Sequence, residues 1–159
     1  MFSINLKILQ HLKYYKIKEN YMKSLLTYIK EDKDMYNNSF VILKPEFLSH
    51  KNEWIETLQN NEWDILDKKQ LTLSKDQAAE LYSMHKGKDF YDDLCKYMSS
   101  GECLCCKCYK ECNNPIEEMD KLKDQIRNKW SKDDMKNAMH SSDSLQNVKR
   151  ESKIIFDEY

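Results

Sequence analysis

The sequence predicts an α+β fold in which helices cover one small β-sheet. Short apolar runs that are typical of strands alternate with longer segments whose apolar residues recur at helical spacing. The apolar runs at 39–43 and 103–109 have strand character, whereas 75–82 has helical character. The resulting order, β-α-β-α-α-β-α-β-α, favours a sandwich of helices on a sheet. A chain of 159 residues is long enough for one domain with its own core.

Four strands are predicted from apolar runs and from alternation. Residues 39–43 form a continuous apolar run that ends near Pro45, which cannot donate to a sheet ladder. Apolar residues alternate over 63–73, which predicts a second strand. The run at 103–109 predicts a third strand, and 137–139 predicts a short fourth one.

Five helices are predicted from apolar spacing and from residues that begin or end helices. Ser74 is a favourable N-cap, and Pro115 suits the first turn of a helix. Gly101 is typical of the residue that follows a helix, and Asp143 or Ser144 is expected to cap the last one. The predicted helices cover 49–61, 75–82, 90–98, 115–126 and a final segment that ends at Phe156.

Residues 1–38 are predicted to form an extension that precedes a domain at 39–159. Apolar residues mix with lysines there, and no acidic residue occurs before Glu19, which suits a basic amphipathic helix. The charged stretch at 31–34 is expected to be a linker. We expect a cytoplasmic protein, with mitochondrial localisation through the basic segment as the alternative, although that segment contains no Arg.

Composition excludes several classes of function. The net charge of −1 gives no basic field for nucleic acid, and no apolar run approaches the ~20 residues of a membrane-spanning helix. The two glycines, Gly87 and Gly101, are too few and too far apart for a Walker loop or a dinucleotide fingerprint. Side chains must therefore hold the phosphates of any nucleotide. Arg127 and Arg150 are the only arginines among 26 basic residues, so each is expected to use its planar fork.

All six cysteines lie between Cys95 and Cys112. The C-x2-C pair Cys105 and Cys108 invites a zinc hypothesis, but a tetrahedral site needs a second pair of ligands outside this short run. Cysteine is also a small apolar residue that suits a buried strand. We expect structural cysteines and no metal site, with a metal-binding or redox-sensing module as the alternative. No signal peptide is evident, so a disulfide framework is not expected.

Several segments, in order along the chain, resemble the nucleoside diphosphate kinase family. The first strand leads into Lys-Pro-Glu at 44–46, where the family has Lys-Pro-Asp. The segment 82–90 begins with Tyr and ends with Phe, as in the family, and 97–101 reads Tyr-Met-Ser-Ser-Gly. Ile-Arg at 126–127 follows. Residues 137–144 read Asn-Ala-Met-His-Ser-Ser-Asp-Ser, which is similar to the family's Asn-x-x-His-Gly-Ser-Asp-Ser.

The resemblance implies a ferredoxin-like fold, an antiparallel four-stranded sheet covered by helices, here with an N-terminal helical extension. It also implies a transferase that moves the γ-phosphate of ATP to a nucleoside diphosphate through a phosphohistidine. His140 corresponds to the nucleophile, and Glu151, eleven residues later, to the acceptor for its other ring nitrogen. Lys44 corresponds to a γ-phosphate contact, and Tyr82 to the tyrosine beside the histidine.

The same resemblance implies the nucleotide contacts. Arg127 corresponds to a phosphate fork, Asn137 to a contact with the sugar hydroxyl, and Ser142 to a serine near the histidine. Phe90 corresponds to the aromatic residue that stacks on the base, which makes such enzymes tolerant of base identity. The expected partners are nucleoside tri- and diphosphates, with Mg²⁺ carried by the nucleotide and a homo-oligomer as a further expectation.

The region between Cys108 and Arg127 departs from the family pattern because it is shorter than in housekeeping members. There it supplies a second phosphate-binding Arg, a Thr and a loop used in oligomer contacts. Glu118 falls near the place of that Arg, and Lys121 or Lys123 are candidate substitutes. Loss of one charge-assisted phosphate contact costs about 2–4 kcal/mol of transition-state stabilisation, a roughly 30- to 1000-fold lower rate.

Two single-residue departures keep a second function open. Ser141 replaces the family's Gly after the histidine, and would cost about 1 kcal/mol if that position required a positive φ. Glu102 replaces a Pro after Ser-Gly. The alternative function is a weakened or inactive nucleotide-binding or protein-interaction domain of the same fold.

Overall fold

A computed structural model describes residues 15–24 and 36–156 of the chain. Two compact units are present, Met1–Tyr36 and Asn37–Tyr159. In the first unit, residues 15–24 are helical. The remainder of the predicted basic helix and the predicted linker lie outside the described residues. Within the described ranges, no helix has the length and apolar character that crossing a membrane requires.

The second unit is built on a four-stranded antiparallel sheet whose strand order is β2-β3-β1-β4. In β1, Ile42 lies opposite Cys105 of β3 on one side and opposite His140 of β4 on the other. The predicted α+β class and the antiparallel four-stranded sheet are confirmed. The strands are β1 (Asn38–Leu43), β2 (Asp64–Leu71), β3 (Cys103–Tyr109) and β4 (Met139–Ser141).

The fourth strand begins two residues later than predicted. Ala138 has a φ of 67°, so the backbone is not extended there. The N–H of Met139 donates to the carbonyl of Asn137 over 2.8 Å, which closes a γ-turn of the rarer, strained hand. Pairing with β1 can therefore start only after this turn, which brings His140 into the middle of β4.

Helices follow the strands in the predicted order. Ser74 forms a capping box with Gln77 at the start of α2, and the Asn114 side chain caps α4 just before Pro115. Helix α4 is four residues longer than predicted because its buried face continues from Ile126 to Trp130, which packs against the core. The helices are α1 (Lys51–Asn60), α2 (Lys75–Leu81), α3 (Tyr91–Met98), α4 (Pro115–Trp130) and α5 (Leu145–Phe156), with 3-10 turns at Pro45–His50 and Ser83–His85.

The core occupies both faces of the sheet because helices cover both. Successive side chains of a strand point to opposite faces, so the cysteines of β3 divide between two cores. Cys103 and Cys105 join one core, whereas Cys106 and Cys108 join the other, and all four are fully buried free thiols. Among the described residues, no group of three or more His, Cys, Asp or Glu side chains is arranged to hold a metal ion.

Candidate active site

A cavity of about 470 Å³ collects most of the residues that the sequence singles out. Glu151 and Ser142 do not line it but lie directly behind His140. Sequence reasoning missed four further lining residues, which are His85, Leu94, Asp134 and Met135. The predicted residues that do line the cavity are Lys44, Tyr82, Phe90, Arg127, Asn137 and His140.

His140 is held with one ring nitrogen bonded and the other free. Its Nε2 lies 2.8 Å from Oε2 of Glu151, and its side chain is 15% exposed. The edge of the ring meets Tyr82, with the ring centroids 5.5 Å apart. Because a carboxylate only accepts, we assign the proton to Nε2, which leaves the lone pair on Nδ1. Nδ1 has no hydrogen-bond partner among the described residues, so it is the nitrogen available to a ligand.

Glu151 occupies a position on α5 where an apolar side chain would be expected. It is 1% exposed and shares the buried face of the helix with Val148 and Ile155. Oε2 also accepts from the hydroxyl of Ser142 over 2.6 Å, and Oε1 accepts from Arg150 over 3.1 Å. A buried carboxylate is costly unless donors satisfy it, and here three donors do.

Lys44 follows the last residue of β1 and is 4% exposed. Its Nζ donates to the carbonyl of Met135 over 2.8 Å. Burial, followed by the charge of the nearby Arg127, lowers the pKa of Lys44 to about 7, although the charge of Asp133 raises it. The ammonium can therefore lose its proton near neutral pH.

Arg127 lies in the last turn of α4, and its guanidinium donates two hydrogen bonds, as a fork, to a single backbone oxygen. Its Nε and Nη2 donate to the carbonyl of Met139 over 3.0 and 2.8 Å. Since Met139 directly precedes His140 in β4, this fork holds the guanidinium beside the histidine. Burial lowers the pKa of Arg127, but a guanidinium keeps its charge in proteins. Nη1 has no partner among the residues the structure describes.

Two buried polar atoms near the cavity also lack partners within the described part of the chain. They are the hydroxyl of Tyr82 and Oδ1 of Asn137, whose Nδ2 donates to the carbonyl of Asp134. Burial, followed by the charge of Glu151, raises the pKa of Tyr82 well above its usual value, so its hydroxyl remains a donor. Buried polar atoms are rarely left unpaired in folded proteins. The Tyr82 hydroxyl can thus donate a hydrogen bond to a polar ligand, and Oδ1 of Asn137 can accept one from it.

The exposed part of the cavity lining includes one aromatic and one acidic residue, Phe90 and Asp134. Phe90 is 44% exposed and tilts against His85, with the ring centroids 5.3 Å apart. Burial, followed by Lys88, lowers the pKa of His85, which favours a neutral ring at pH 7. His85 lies one helical turn after Tyr82, and that spacing is the signal that could have found it. Asp134 is exposed, and its carboxylate has no partner within residues 36–156.

The prediction that Lys121 or Lys123 takes the place of the missing arginine is wrong. Lys121 pairs with Glu117 and Glu118 on its own helix, and Lys123 pairs with Asp120. Neither lysine lines the cavity. Each pairs with a carboxylate about one turn away on the same helix, a common interaction along helices.

Position 141 does not require a positive φ, so the condition for a penalty at Ser141 is not met. The non-glycine residues with positive φ in the described ranges are Glu62 and Ala138, so Ser141 carries no penalty of this kind. Its hydroxyl instead donates to Oδ1 of Asp120 over 3.1 Å and ties β4 to α4. Glu102, the other departure, accepts from the side chain of Gln70 at the surface.

The geometry therefore offers an unbonded imidazole nitrogen, Nδ1 of His140, beside the basic side chains of Lys44 and Arg127. Such an arrangement suits the acceptance of a phosphoryl group, because transfer depends mostly on positioning and on stabilising charge. Lys44 is buried and Arg127 is half-buried, whereas Phe90 is 44% exposed, so the site suits a ligand with an anionic end and a flat end.

Comparison with known proteins identifies the family of the chain. A family model described as nucleoside diphosphate kinase matches residues 37–159. The chain therefore belongs to the nucleoside diphosphate kinase family, as the sequence motifs predict, and its second unit is a nucleotide-binding domain of that kind.

Individual relatives show how far the likeness extends. A nucleoside diphosphate kinase from Fervidobacterium nodosum is 34% identical over 128 residues, which are 74% of this chain and 87% of that protein. Thioredoxin domain-containing protein 6 of Xenopus laevis is 30% identical over 131 residues, 75% of this chain but 21% of that protein. The chain thus spans about a fifth of the length of this relative.

A solved structure confirms the fold. The nucleoside diphosphate kinase of Aquifex aeolicus superposes with a TM-score of 0.70 at 21% identity, covering 76% of this chain and 95% of that one. At this identity the likeness speaks for the ferredoxin-like α+β architecture alone.

Proposed function

We propose that the protein is a nucleoside diphosphate kinase that transfers the γ-phosphate of ATP to a nucleoside diphosphate through a phosphohistidine at His140. One observation carries the proposal: Glu151 engages Nε2 of His140 at 2.8 Å, while Nδ1 is left for the cavity that Lys44 and Arg127 line. Membership of a family of phosphotransferases supports it.

In the first half-reaction, the lone pair of Nδ1 attacks the γ-phosphorus of ATP. The bond between this phosphorus and the β–γ bridging oxygen breaks, and the nucleoside diphosphate leaves with its electron pair. The ring becomes positively charged, and the hydrogen bond from Nε2 to the Glu151 carboxylate stabilises that charge. Lys44 and Arg127 offset the charge on the phosphate oxygens.

In the second half-reaction, another nucleoside diphosphate occupies the same cavity. A terminal oxygen of its β-phosphate attacks the phosphorus, the P–N bond breaks, and the electron pair returns to Nδ1. One cavity serves both halves because donor and acceptor differ by one phosphoryl group. We propose that Phe90 stacks on the base, Asn137 accepts from a sugar hydroxyl through its unpaired Oδ1, and Tyr82 donates its hydroxyl to the ligand.

Mg²⁺ would enter on the phosphates of the nucleotide and supply charge neutralisation there. Asp134 is the carboxylate that lines the cavity, so it is the side chain on this wall that suits a nucleotide-borne cation. Ser142 would act only through Glu151, to which its hydroxyl is bonded.

Three further features are part of the proposal. We propose that the kinase domain comprises residues 39–159 and that 1–38 is an extension. We propose a homo-oligomer in solution. We also propose a cytoplasmic protein, with mitochondrial localisation as the alternative that the basic N-terminal segment favours.

A second function, nucleotide binding without turnover, is favoured by one observation. Lys121 and Lys123, the candidate replacements for a second phosphate-binding arginine, pair with acidic residues away from the cavity. The phosphates would therefore meet two cationic side chains of the described residues, Lys44 and Arg127. This weaker anchoring is compatible with binding even if transfer is lost.

The proposal is tested by incubating the protein with γ-labelled ATP and Mg²⁺. Wild type is expected to acquire label that is acid-labile and base-stable, and to pass it to added GDP as GTP. His140→Ala should acquire none. The matched control is His50→Ala, because His50 stacks on Trp130 at the surface, outside the cavity. A folded wild-type protein that binds ATP but acquires no label would refute transfer and support the binding function.

A further inference from the structure

Arg150, one of the two arginines of the chain, has no role in the mechanism above. It directly precedes Glu151 on α5, and its side chain is 29% exposed. Nη1 donates to the carbonyl of Glu80 over 2.7 Å, and Nη2 donates to the carbonyl of Leu81 over 3.2 Å. Nη2 also donates to Oε1 of Glu151 over 3.1 Å, and Nε to Oδ1 of Asn147 over 3.2 Å. One planar group thus joins four acceptors on two helices.

The two carbonyls belong to the last turn of α2. The final carbonyls of a helix lack intrahelical donors and carry partial negative charge, so a guanidinium is a favourable partner. Tyr82 follows Leu81 directly, and its ring meets that of His140. By holding the end of α2, Arg150 fixes the position of a residue that touches the nucleophile.

The carboxylate of Glu151 divides its two oxygens between two tasks. Oε2 accepts from His140 and Ser142, while Oε1 accepts from Arg150. Since Glu151 is 1% exposed, water cannot take over either task. A contact at Oε1 restricts rotation of the carboxylate, and its positive charge offsets the buried negative one.

We propose that Arg150 is a positioning residue that orients Glu151 toward His140 and so maintains the ring form with its proton on Nε2 and its lone pair on Nδ1. The same guanidinium couples this orientation to the end of α2 and to Tyr82. The inference rests on the proposed role of His140 as nucleophile, but its main consequence is a property of the resting protein.

Lysine cannot reproduce these contacts although it carries the same charge. Its ammonium is a point charge on a flexible stem, whereas the guanidinium presents donors in several fixed directions of one plane. The ammonium of a lysine at position 150 could bind either the α2 carbonyls or the Glu151 carboxylate, but not both. Arg150→Lys therefore separates the geometry of the fork from its charge, and it keeps most of the packing of the side chain.

The test uses the full chain labelled with ¹⁵N at histidine. The sequence has four histidines, and the His140 signals are assigned by their loss in His140→Gln. Wild type is expected to show His140 with the proton on Nε2. Arg150→Lys is expected to show a mixture of ring forms. Arg150→Met is compared with the matched control Lys149→Met. Lys149 is the exposed neighbour of Arg150 on the same helix, and its substitution should leave the His140 spectrum unchanged.

Kinetics supply the second readout. In Arg150→Lys, the rate of His140 phosphorylation at saturating ATP should fall about tenfold, as expected for loss of a charge-assisted hydrogen bond, with KM changed less than about twofold. An unchanged His140 spectrum in a variant that is merely less stable to heat would overturn the inference, because Arg150 would then be a structural clamp. If wild type is never phosphorylated, the proposed function fails, yet the spectra still decide the role of Arg150.

Discussion

The two sides of the cavity differ in how their polar groups are partnered. On the α5 side, three donors surround the buried Glu151, and one of them is the ring of His140. On the opposite side, Lys44 and Arg127 each rest on one backbone carbonyl, and Oδ1 of Asn137 has no partner among the described residues. The ring of His140, the proposed nucleophile, is thus oriented by the protein itself, whereas the side that carries Lys44, Arg127 and Asn137 leaves polar atoms for a ligand.

This difference bears on the two halves of the proposed function, which are transfer to His140 and binding of the phosphates. The orientation of His140 depends on β4 and α5, which lie after the shortened region in the chain. In the proposed function, anchoring of the phosphates depends on Arg127 of α4, which runs as one continuous helix to Trp130, and on Lys44, which follows β1. Changes on the α5 side should therefore alter the rate of transfer, and changes on the phosphate side should alter affinity.

The largest effect is expected for Glu151→Gln. The amide keeps the size of the side chain but removes the charge that stabilises the positively charged ring. Phosphorylation of His140 should slow about 100-fold, since a hydrogen bond between charged groups is lost in a buried place. Glu56→Gln, an exposed change on α1, is the matched control. A rate equal to wild type would show that Glu151 does not support the reaction.

A smaller effect is expected from pH acting on Lys44. Its pKa of about 7 means that the side chain is protonated below this pH and neutral above it. Only the ammonium pairs with phosphate, so affinity for Mg²⁺-free ADP should fall about tenfold between pH 6.5 and 8.5 in calorimetric titrations. In Lys44→Arg the charge persists across this range, and the decline should largely vanish. A wild-type affinity that stays constant with pH would contradict the assignment.

The smallest effect is expected for Asp134→Asn. Its carboxylate lines the cavity and repels phosphate by roughly 0.7 kcal/mol at ~6 Å in water. Mg²⁺-free ADP should therefore bind about threefold more tightly to the variant. Asp76→Asn, an exposed change on α2 away from this cavity, serves as the control. Weaker binding to Asp134→Asn without metal would mean that the carboxylate accepts a hydrogen bond from the nucleotide instead.

The sequence predicted the order of the elements because apolar spacing is a local property. It also predicted six lining residues and the two behind His140, since their motifs are short and keep fixed spacings. The limits of β4 could not be predicted, because they depend on the positive φ of Ala138. Alanine as a residue type does not indicate such a φ. The end of α4 depends on packing of Trp130 across the core.

Residues brought in by tertiary contacts were missed for the same reason. His85 reaches the cavity through the 3-10 turn after α2, and Asp134 through the loop before β4. The rarity of arginine drew attention to Arg150, but its four acceptors come from two helices that are distant in sequence. Local patterns cannot reveal such a contact.

In the proposed function, His140 is a fully oriented nucleophile and the phosphates meet two basic side chains of the described residues, Lys44 and Arg127. Measuring the rate of phosphohistidine formation against ATP concentration in single turnovers tests both statements. The expected result is close to one label per chain at saturation, with half-saturation near the upper end of ordinary KM values, about 1 mM. No label at any ATP concentration, in folded protein shown to bind ATP, would contradict the nucleophile. Half-saturation at micromolar ATP would contradict the weaker anchoring of the phosphates by these two side chains.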